Sequence, residues 1–230
     1  MAMTPTRLYL VRHGATQRTA EDRFSGAVGV ELSDEGRHQV QRLSQRLAND
    51  AIKAVYCSPL SRAVDTAEIL ATPHGLTPIR RDGLREISHG RWEGLTRREV
   101  EARYPDEYAA WEIDPFTFAP ETGESGLQVL ARALPVIREI VIAHPGETVA
   151  VSSHKATLRL ILSSLLGFDA RGYRDRLDQS PACLNVVDFK GPVRARLMLF
   201  NDVSHYANEP RAAADNLSKW WDPSVPEKSR

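Results

Sequence analysis

The stretch from Leu8 to Gly14 constrains the fold more than any other part of the chain, because an apolar run ends abruptly there at an arginine, a histidine and a glycine. A continuous apolar run of this length is typical of a parallel strand covered on both faces. Gly14 permits a sharp turn at the strand end and brings backbone N–H groups close to a bound group. We therefore predict that Arg12 and His13 lie at the carboxyl end of a buried strand, where open α/β sheets hold their ligands.

Strand-like and helix-like apolar patterns alternate along the rest of the chain. Strands are predicted at residues 7–12, 54–57, 148–152, 183–189 and 195–200, with a short one near residue 79, and helices at 33–49, 58–70, 127–141 and 156–166. Ser58 is the predicted N-cap of the second helix, and Pro59 its first helical residue. This alternation predicts an α/β fold with three layers: a doubly wound, mainly parallel sheet with helices on both faces.

The chain length of 230 residues fits a single domain that carries an insertion. We predict one domain over residues 1–203. Within it, residues 83–123 lose the regular pattern and are too long for an ordinary connection, so they are predicted to form a small cap. Residues 204–230 are polar apart from two adjacent tryptophans and are predicted to form a C-terminal tail.

Composition excludes several classes of protein. Thirty basic residues balance thirty acidic ones, which argues against a nucleic-acid binder that relies on net positive charge. No apolar run is long enough to span a membrane, and the first residues lack the pattern of a signal peptide. Cys57 and Cys183 lie in apolar contexts and are predicted to be buried and reduced. We expect a cytoplasmic protein with neither nucleic-acid nor membrane partners.

The candidate functional residues lie at three junctions between a strand and a helix. The junctions are Arg12–Gly14, Ser58–Arg62 and Ser152–His154. Because the carboxyl ends of parallel strands meet at one edge of a sheet, these junctions are expected to converge. Two arginines, two histidines and two helix N-termini at one edge describe a site for an anion, and a phosphate group matches the fork of a guanidinium.

The chemistry of these residues points to phosphoryl transfer. A neutral imidazole has one bare nitrogen that can attack phosphorus, and we assign that role to His13. His154, if protonated, would donate to a phosphoryl oxygen, while Arg12 and Arg62 would neutralise charge on the equatorial oxygens in the transition state. Glu86 is the predicted general acid for the leaving oxygen, and later the base that activates water. This scheme requires neither a metal nor a cofactor.

The same residues resemble the motifs of the histidine phosphatase superfamily, which has the phosphoglycerate-mutase-like fold. The resembling segments are Arg12–Thr16, Leu32–Gly36, Ser58–Ala63 with Thr66–Ala67, Glu86 with Gly90–Gly94, Gly123–Ser125 and Ser153–His154. The resemblance extends over roughly residues 7–189. It implies that His13 is the phosphorylated residue, that Arg12, Arg62 and His154 form the phosphate pocket, and that Glu86 is the proton donor.

Three positions depart from the family pattern. Ala15 stands where a glutamate is usual, and Thr19 where many members have an asparagine that binds phosphate. Lys155 follows the second histidine, where a glycine is common. It either contacts a substrate carboxylate or second phosphate, or lies on a solvated helix face. Thr19 and Ser25 are predicted as further donors to the phosphate, together with the backbone of Gly14.

The third motif, around residues 90–94, is more similar to the phosphatase branch than to the cofactor-dependent mutases. We therefore predict a metal-independent phosphomonoesterase, of the histidine acid phosphatase type, that acts on a small phosphorylated metabolite through a phosphohistidine. The main alternative is a phosphoglycerate-mutase-type phosphomutase. The sequence is also compatible with a non-catalytic module that binds phosphorylated ligands and with a metallohydrolase that uses His13 and His154. A homodimer is left open.

Overall fold

A six-stranded sheet forms the centre of the protein in a computed structural model that describes residues 4–17, 23–26 and 29–208. The strands are β1 (Thr6–Arg12), β2 (Ile52–Cys57), β3 (Ile79–Arg80), β4 (Thr148–Ser153), β5 (Leu184–Lys190) and β6 (Arg194–Asp202). They follow the order β3-β2-β4-β1-β5-β6. The first four are parallel to one another, β5 is antiparallel to β1, and β6 is antiparallel to β5. The predicted mainly parallel α/β sheet is confirmed.

Helices connect the strands and cover the sheet. They are α1 (Asp34–Leu47), α2 (Ser61–Ala71), α3 (Arg97–Arg103), α4 (Pro105–Ile113), α5 (Gly126–Ala143), α6 (Lys155–Leu166) and α7 (Tyr173–Arg176). Short 3₁₀ turns lie at Thr72–His74, Asp82–Leu84, Gly90–Trp92 and Ala170–Gly172. None of the helices in the described ranges combines the length and the apolar character needed to cross a bilayer.

The central strand β1 shows why the sheet is covered on both faces. Successive side chains of a strand point to opposite faces, and every residue from Leu8 to Val11 is buried. Leu8 and Leu10 belong to a core formed with α5 and α6, whereas Tyr9 and Val11 belong to a second core formed with α1 and α2. The unbroken apolar run of β1 thus follows from its burial between two helical layers, as predicted.

The start of α2 differs from the prediction. The helix begins at Ser61, and its N-cap is Leu60, in extended backbone, rather than Ser58. The hydroxyl of Ser58 instead makes two other contacts: the N–H of Leu60 donates to it at 3.3 Å, and Nε2 of His154 lies 2.7 Å from it. Predicting the N-cap at Ser58 was wrong because this hydroxyl is used in a contact with a distant strand end.

Residues 83–123 contain α3 and α4, which pack around an aromatic cluster separate from the two main cores. The cluster comprises Phe24, Trp92, Val100, Tyr108 and Trp111. The capping box that starts α3, in which Thr96 and Glu99 each bond to the other's backbone, explains why this short helix forms. The division into a domain, a cap and a tail stays a prediction, and residues 209–230 lie outside the described ranges.

A buried ion pair joins residues 83–123 to α7. Arg174 of α7 lies 3.2 Å from Glu112 of α4, with side-chain exposures of 6% and 8%, and its guanidinium lies 4.1 Å from the ring centroid of Trp111. We expect Arg174→Met to lower the free energy of unfolding by about 3–5 kcal/mol, because Glu112 would remain buried without this partner. Urea denaturation measures this loss.

The matched control is Arg171→Met. The side chain of Arg171 is 68% exposed, and its ion pair with Asp169 spans 3.7 Å. An exposed pair of this kind contributes little to stability, so we expect a change of under about 1 kcal/mol. Equal losses in the two variants would contradict a special contribution from the buried pair.

Candidate active site

The strand pairing brings the three predicted junctions together at one edge of the sheet. Arg12 at the end of β1 is in register with Ser153 at the end of β4, and the N–H of His13 donates to the carbonyl of Ser153 at 3.0 Å. On the other side of β4, the N–H of Ser58 donates to the carbonyl of Ser152 at 3.0 Å. His13, His154 and Ser58 therefore follow three adjacent strands.

The hydrogen bonds of His13 fix its tautomer. Nδ1 lies 2.8 Å from the carbonyl oxygen of Gly14, which can only accept, so Nδ1 must carry a proton. Nε2 accepts a hydrogen bond from Nε of Arg62 at 3.2 Å and is therefore bare in the neutral ring. The side chain is buried but retains 6% exposure. This arrangement leaves Nε2 as the nitrogen with a lone pair at the site.

The surroundings of His13 keep the ring neutral. Burial, together with the positive charges of Arg62 and Arg12, holds the pKa of His13 well below its ordinary value of about 6.5. Burial also lowers the pKa of Arg62, whose guanidinium donates to the carbonyl of Gly26 at 2.9 Å. A neutral imidazole beside a cationic guanidinium is the combination that a nucleophile for phosphorus requires.

Arg12 lies beside the loop that precedes β5. One of its terminal nitrogens, Nη1, donates to the backbone carbonyl of Gln179 at 2.6 Å. Its Nε is buried and has no hydrogen-bond partner among the residues that the structure describes. Because a buried donor without a partner is costly, this N–H is available for an anion that enters the site.

His154 lies next to His13, with 5.2 Å between the ring centroids. The side chain is fully buried, Nε2 contacts the hydroxyl of Ser58 at 2.7 Å, and Nδ1 has no partner within the described part of the chain. Burial and the nearby charge of Arg62 hold the pKa of His154 well below its ordinary value. The cationic His154 considered from the sequence does not fit this environment. When Ser58 donates to Nε2, a neutral His154 still offers Nδ1–H to an anion.

Glu86 lies at the N-terminus of α6, directly after His154. Its carboxylate accepts hydrogen bonds from the backbone N–H groups of Ile87, Ala156 and Thr157, at 3.0, 3.2 and 3.2 Å, and from the hydroxyl of Thr157 at 3.1 Å. A helix N-terminus favours a negative charge, which explains this position. The negative charge of Glu86 is also close enough to Arg62 to oppose part of the lowering that burial causes in the pKa of that guanidinium. The structure thus places the predicted proton donor beside the predicted phosphate-binding arginine.

A residue that the sequence did not point to holds the Glu86 segment in place. Arg132 of α5 donates to the carbonyls of Gly83, Arg85 and Glu86, at 2.8, 2.8 and 3.0 Å. The same guanidinium pairs with Glu124 at 2.8 Å. Arg132 is one of several charged residues on an amphipathic helix, so its position in the sequence carries no signal of this role.

The remaining predicted site residues, Gly14, Ser25, Thr19 and Lys155, differ in their surroundings or lie outside the described ranges. The N–H of Gly14 donates to Oγ1 of Thr66 at 3.3 Å, and a Cβ at Gly14 would lie 2.5 Å from the carbonyl oxygen of Gly36, so the glycine is required by the close approach of α1. Ser25 is half-buried and donates to the carbonyl of Arg23 at 3.3 Å. Thr19 lies outside the described ranges. Lys155 is the first residue of α6, and its Nζ lies 3.5 Å from Oδ1 of Asp178. These assignments to substrate binding stay predictions.

The buried neutral histidines predict how stability depends on pH. Burial lowers the pKa of His89 to about 4, and the pKa values of His13 and His154 are also depressed. In the unfolded chain these rings take up protons near pH 6.5, so the unfolded state binds more protons below that pH. Their contribution to stability is complete above pH 6.5, and we expect the free energy of unfolding to fall as the pH is lowered from 6.5 towards 4.5.

Urea denaturation at pH 7, 6 and 5 measures this slope. His89→Phe should reduce the slope, because it removes one of the titrating rings. The variant should still fold, because Nδ1 of His89 has no hydrogen-bond partner among the described residues and the ring already packs against Phe24, with 4.8 Å between the ring centroids. His38→Phe, at an exposed position of α1, is the control and should leave the slope unchanged. A stability that stays constant from pH 7 to pH 5 would contradict the neutral assignment of these rings.

Comparison with known proteins identifies the family of this chain. Residues 8–203 match the model of the histidine phosphatase superfamily (branch 1). The chain is 33% identical to phosphoserine phosphatase 1 of Hydrogenobacter thermophilus over 163 residues, covering 71% of this chain and 77% of that protein. It is 35% identical to glucosyl-3-phosphoglycerate phosphatase of Mycolicibacterium vanbaalenii over 173 residues, covering 72% and 76% of the two chains.

Solved structures share the fold. Bacillus stearothermophilus YhfR superimposes with a TM-score of 0.81 at 30% identity, covering 87% of this chain and 98% of that one. Some other relatives are longer proteins, of which this chain spans 55% of the length. Taken with the paired histidines and arginines at the edge of the sheet, the match over residues 8–203 shows that the chain belongs to the histidine phosphatase superfamily.

Proposed function

We propose that this protein is a phosphomonoesterase that hydrolyses a small phosphorylated metabolite through a phosphohistidine at His13. The observation that carries the proposal is the bare Nε2 of His13, which lies 3.2 Å from Nε of Arg62 and in a ring 5.2 Å from that of His154. The two curated relatives described above, which are named as phosphatases of phosphoserine and of glucosyl-3-phosphoglycerate, support a substrate of this class.

In the first step, Nε2 of His13 attacks phosphorus as the bond between phosphorus and the leaving oxygen breaks. The N–H of Arg62 that bonds to Nε2 in the free protein then donates to a phosphoryl oxygen instead, and the Nε–H of Arg12 supplies a second donor. The Gly14 carbonyl, bonded to Nδ1–H at 2.8 Å, stabilises the positive charge that the ring gains. This step requires Glu86 in its protonated form, in place of the carboxylate described for the free protein; Glu86 gives that proton to the leaving oxygen, so the alcohol departs neutral.

In the second step, water attacks the phosphohistidine. The Glu86 carboxylate takes a proton from this water, the bond between nitrogen and phosphorus breaks, and inorganic phosphate leaves. His13 returns to the neutral form with Nδ1 protonated, and Glu86 is protonated again for the next cycle. Protons and charges therefore balance over the two steps with the residues of this chain alone.

Release of inorganic phosphate from a panel of phosphate esters tests the proposal. We expect turnover, with no loss in the presence of a chelator. Conversion of phosphoglycerate into its isomer without free phosphate would instead establish the mutase, which must shield its phosphohistidine from water. Binding without turnover would indicate a non-catalytic module, and loss of activity in the chelator would indicate the metallohydrolase.

A further inference from the structure

Arg12 and His13 both contact one loop, residues 179–182, which we call the support loop. The carbonyl of Gln179 accepts a hydrogen bond from Nη1 of Arg12 at 2.6 Å, and the N–H of Ala182 donates to the carbonyl of His13 at 3.1 Å. The loop follows α7 and precedes β5, which lies on the side of β1 opposite to β4. The position of the Arg12 guanidinium therefore depends on where this loop is held.

A pair of buried amides holds the first residue of the support loop. Gln179 and Asn185 of β5 are both fully buried. Nδ2 of Asn185 donates to Oε1 of Gln179 at 2.7 Å, and Nε2 of Gln179 donates to Oδ1 of Asn185 at 3.0 Å. Sγ of Cys183 also donates to Oε1 of Gln179, at 3.2 Å, and burial raises the pKa of Cys183 to about 12, so the thiol keeps its proton.

Two backbone groups fix the orientation of this amide pair. Nδ2 of Asn185 donates to the carbonyl of Leu10 at 3.0 Å, and its Oδ1 accepts from the N–H of Asn201 at 2.9 Å. Because a carbonyl can only accept and an N–H can only donate, the amide of Asn185 has one orientation, and the amide of Gln179 takes the complementary one. The pair thus ties the support loop to β1 and β6.

An irregularity in the sheet provides a second attachment for the loop. The pairing of β5 with β6 shifts its register between Leu184 and Val186, and Asn201 of β6 has a positive φ of 48°. Bulges of this kind redirect side chains, and asparagine adopts a positive φ more readily than most residues. Oδ1 of Asn201 accepts from the N–H of Ser180 at 2.6 Å. Side chains from the sheet therefore hold two successive residues of the support loop.

Packing alone does not account for so many polar groups behind the site. Buried amides are costly unless they are bonded, and apolar side chains of the same shape can replace a bonded pair at little cost. What a satisfied polar network adds is a single, rigid arrangement. Here that arrangement fixes the carbonyl to which Nη1 of Arg12 donates. It leaves the Nε–H of Arg12, which has no partner among the described residues, for an anion.

We propose that Gln179, Asn185 and Asn201 are positioning residues for Arg12. By holding the support loop, they keep the guanidinium where its Nε–H donates to a phosphoryl oxygen. None of the three contacts the substrate, and each acts through Arg12. This inference rests on the proposed phosphomonoesterase function.

A double-mutant cycle with Arg12 tests the inference. Gln179→Met keeps the length of the side chain and the backbone carbonyl but removes the amide. We expect it to lower kcat/KM for p-nitrophenyl phosphate roughly 10-fold, within the range of couplings inside one hydrogen-bond network. In an Arg12→Met background the same substitution should change kcat/KM by less than about 2-fold, because no guanidinium is left to position. A purely structural role would give equal losses in the two backgrounds.

Asn201→Gly provides a second cycle, which also decides the matter if Gln179→Met does not fold. Glycine adopts a positive φ without strain, so this variant removes the bond to Ser180 while it suits the local backbone. The same pattern of losses is expected in the two Arg12 backgrounds. Asn201→Asp keeps an oxygen that can accept from the N–H of Ser180 and should retain most of the wild-type kcat/KM.

Tyr9→Phe is the matched control. It also removes a hydrogen bond of a buried β1 residue, to Asp50 at 2.7 Å, but Asp50 precedes β2 and lies at the opposite edge of the sheet from Arg12. Its kcat/KM should equal that of the wild type. Equal losses in the two Arg12 backgrounds, or no loss in the wild-type background, would overturn this inference alone. Failure of the wild-type protein to release phosphate from p-nitrophenyl phosphate would contradict the proposed function, and the inference with it.

Discussion

His13→Ala should lower kcat for every phosphate ester by at least about 10⁴-fold, the largest effect that we expect from a single substitution in this protein. The physical reason is that Nε2 of His13 would form the bond to phosphorus. No other imidazole in the described ranges combines a bare Nε2 with an Arg62 N–H at 3.2 Å. Steady-state release of inorganic phosphate measures the loss.

A rapid-quench experiment with labelled substrate separates this role from a structural one. The wild-type protein should carry an acid-labile phosphate at His13, and His13→Ala should carry none. His38→Ala, on the exposed face of α1, is the matched control and should keep both the activity and the label. Full activity in His13→Ala, or a label at another residue, would contradict the phosphohistidine mechanism.

Glu86→Gln should give the second largest loss, about 10²- to 10⁴-fold in kcat for alkyl phosphates, because the leaving alkoxide would lose its proton donor. The loss should depend on the leaving group. p-Nitrophenolate departs without a proton, so formation of the phosphohistidine from p-nitrophenyl phosphate should be nearly unaffected. Hydrolysis of the phosphohistidine should still be slow, because Glu86 would also activate the water.

Stopped-flow kinetics can distinguish these two steps. Glu86→Gln should release a burst of about one equivalent of p-nitrophenol, followed by slow turnover, if Glu86 has both roles. Glu139→Gln, at an exposed position of α5, is the control and should behave like the wild type. An equal slowing of phosphohistidine formation from alkyl and p-nitrophenyl esters would show that Glu86 only shapes the N-terminus of α6.

The sequence predicted the convergence of those candidate residues that directly follow a buried strand. His13, Arg62 and His154 follow buried strands whose apolar pattern can be recognised, and parallel strands place such residues at one edge. The pairing of Arg12 with Ser153 and of Ser58 with Ser152 confirms that this logic holds here. Glu86 was also predicted from the sequence, although it lies on an irregular segment, because it stands in a short recognisable motif, and its role as proton donor stays a prediction.

The contacts that the sequence did not reveal involve atoms or partners without a local pattern. Arg12 bonds to the backbone carbonyl of Gln179, and every residue type has such a carbonyl. Arg132 holds three carbonyls of the Glu86 segment but looks like any charged residue on an amphipathic helix. The N-cap predicted at Ser58 failed for a related reason, since a local rule could not anticipate a hydroxyl used by His154.

The sequence by itself determined the alternation of strands and helices and the burial of β1 between two layers. It also determined which polar residues follow the ends of β1, β2 and β4. These follow from side-chain periodicity and from chain direction, which are local properties. Only the tertiary structure decided which nitrogen of His13 is bare, that His154 is buried without a charge, and that Lys155 shares Asp178 with Arg159. These depend on which distant segments meet, because burial and long-range hydrogen bonds set the charge and the tautomer of each ring.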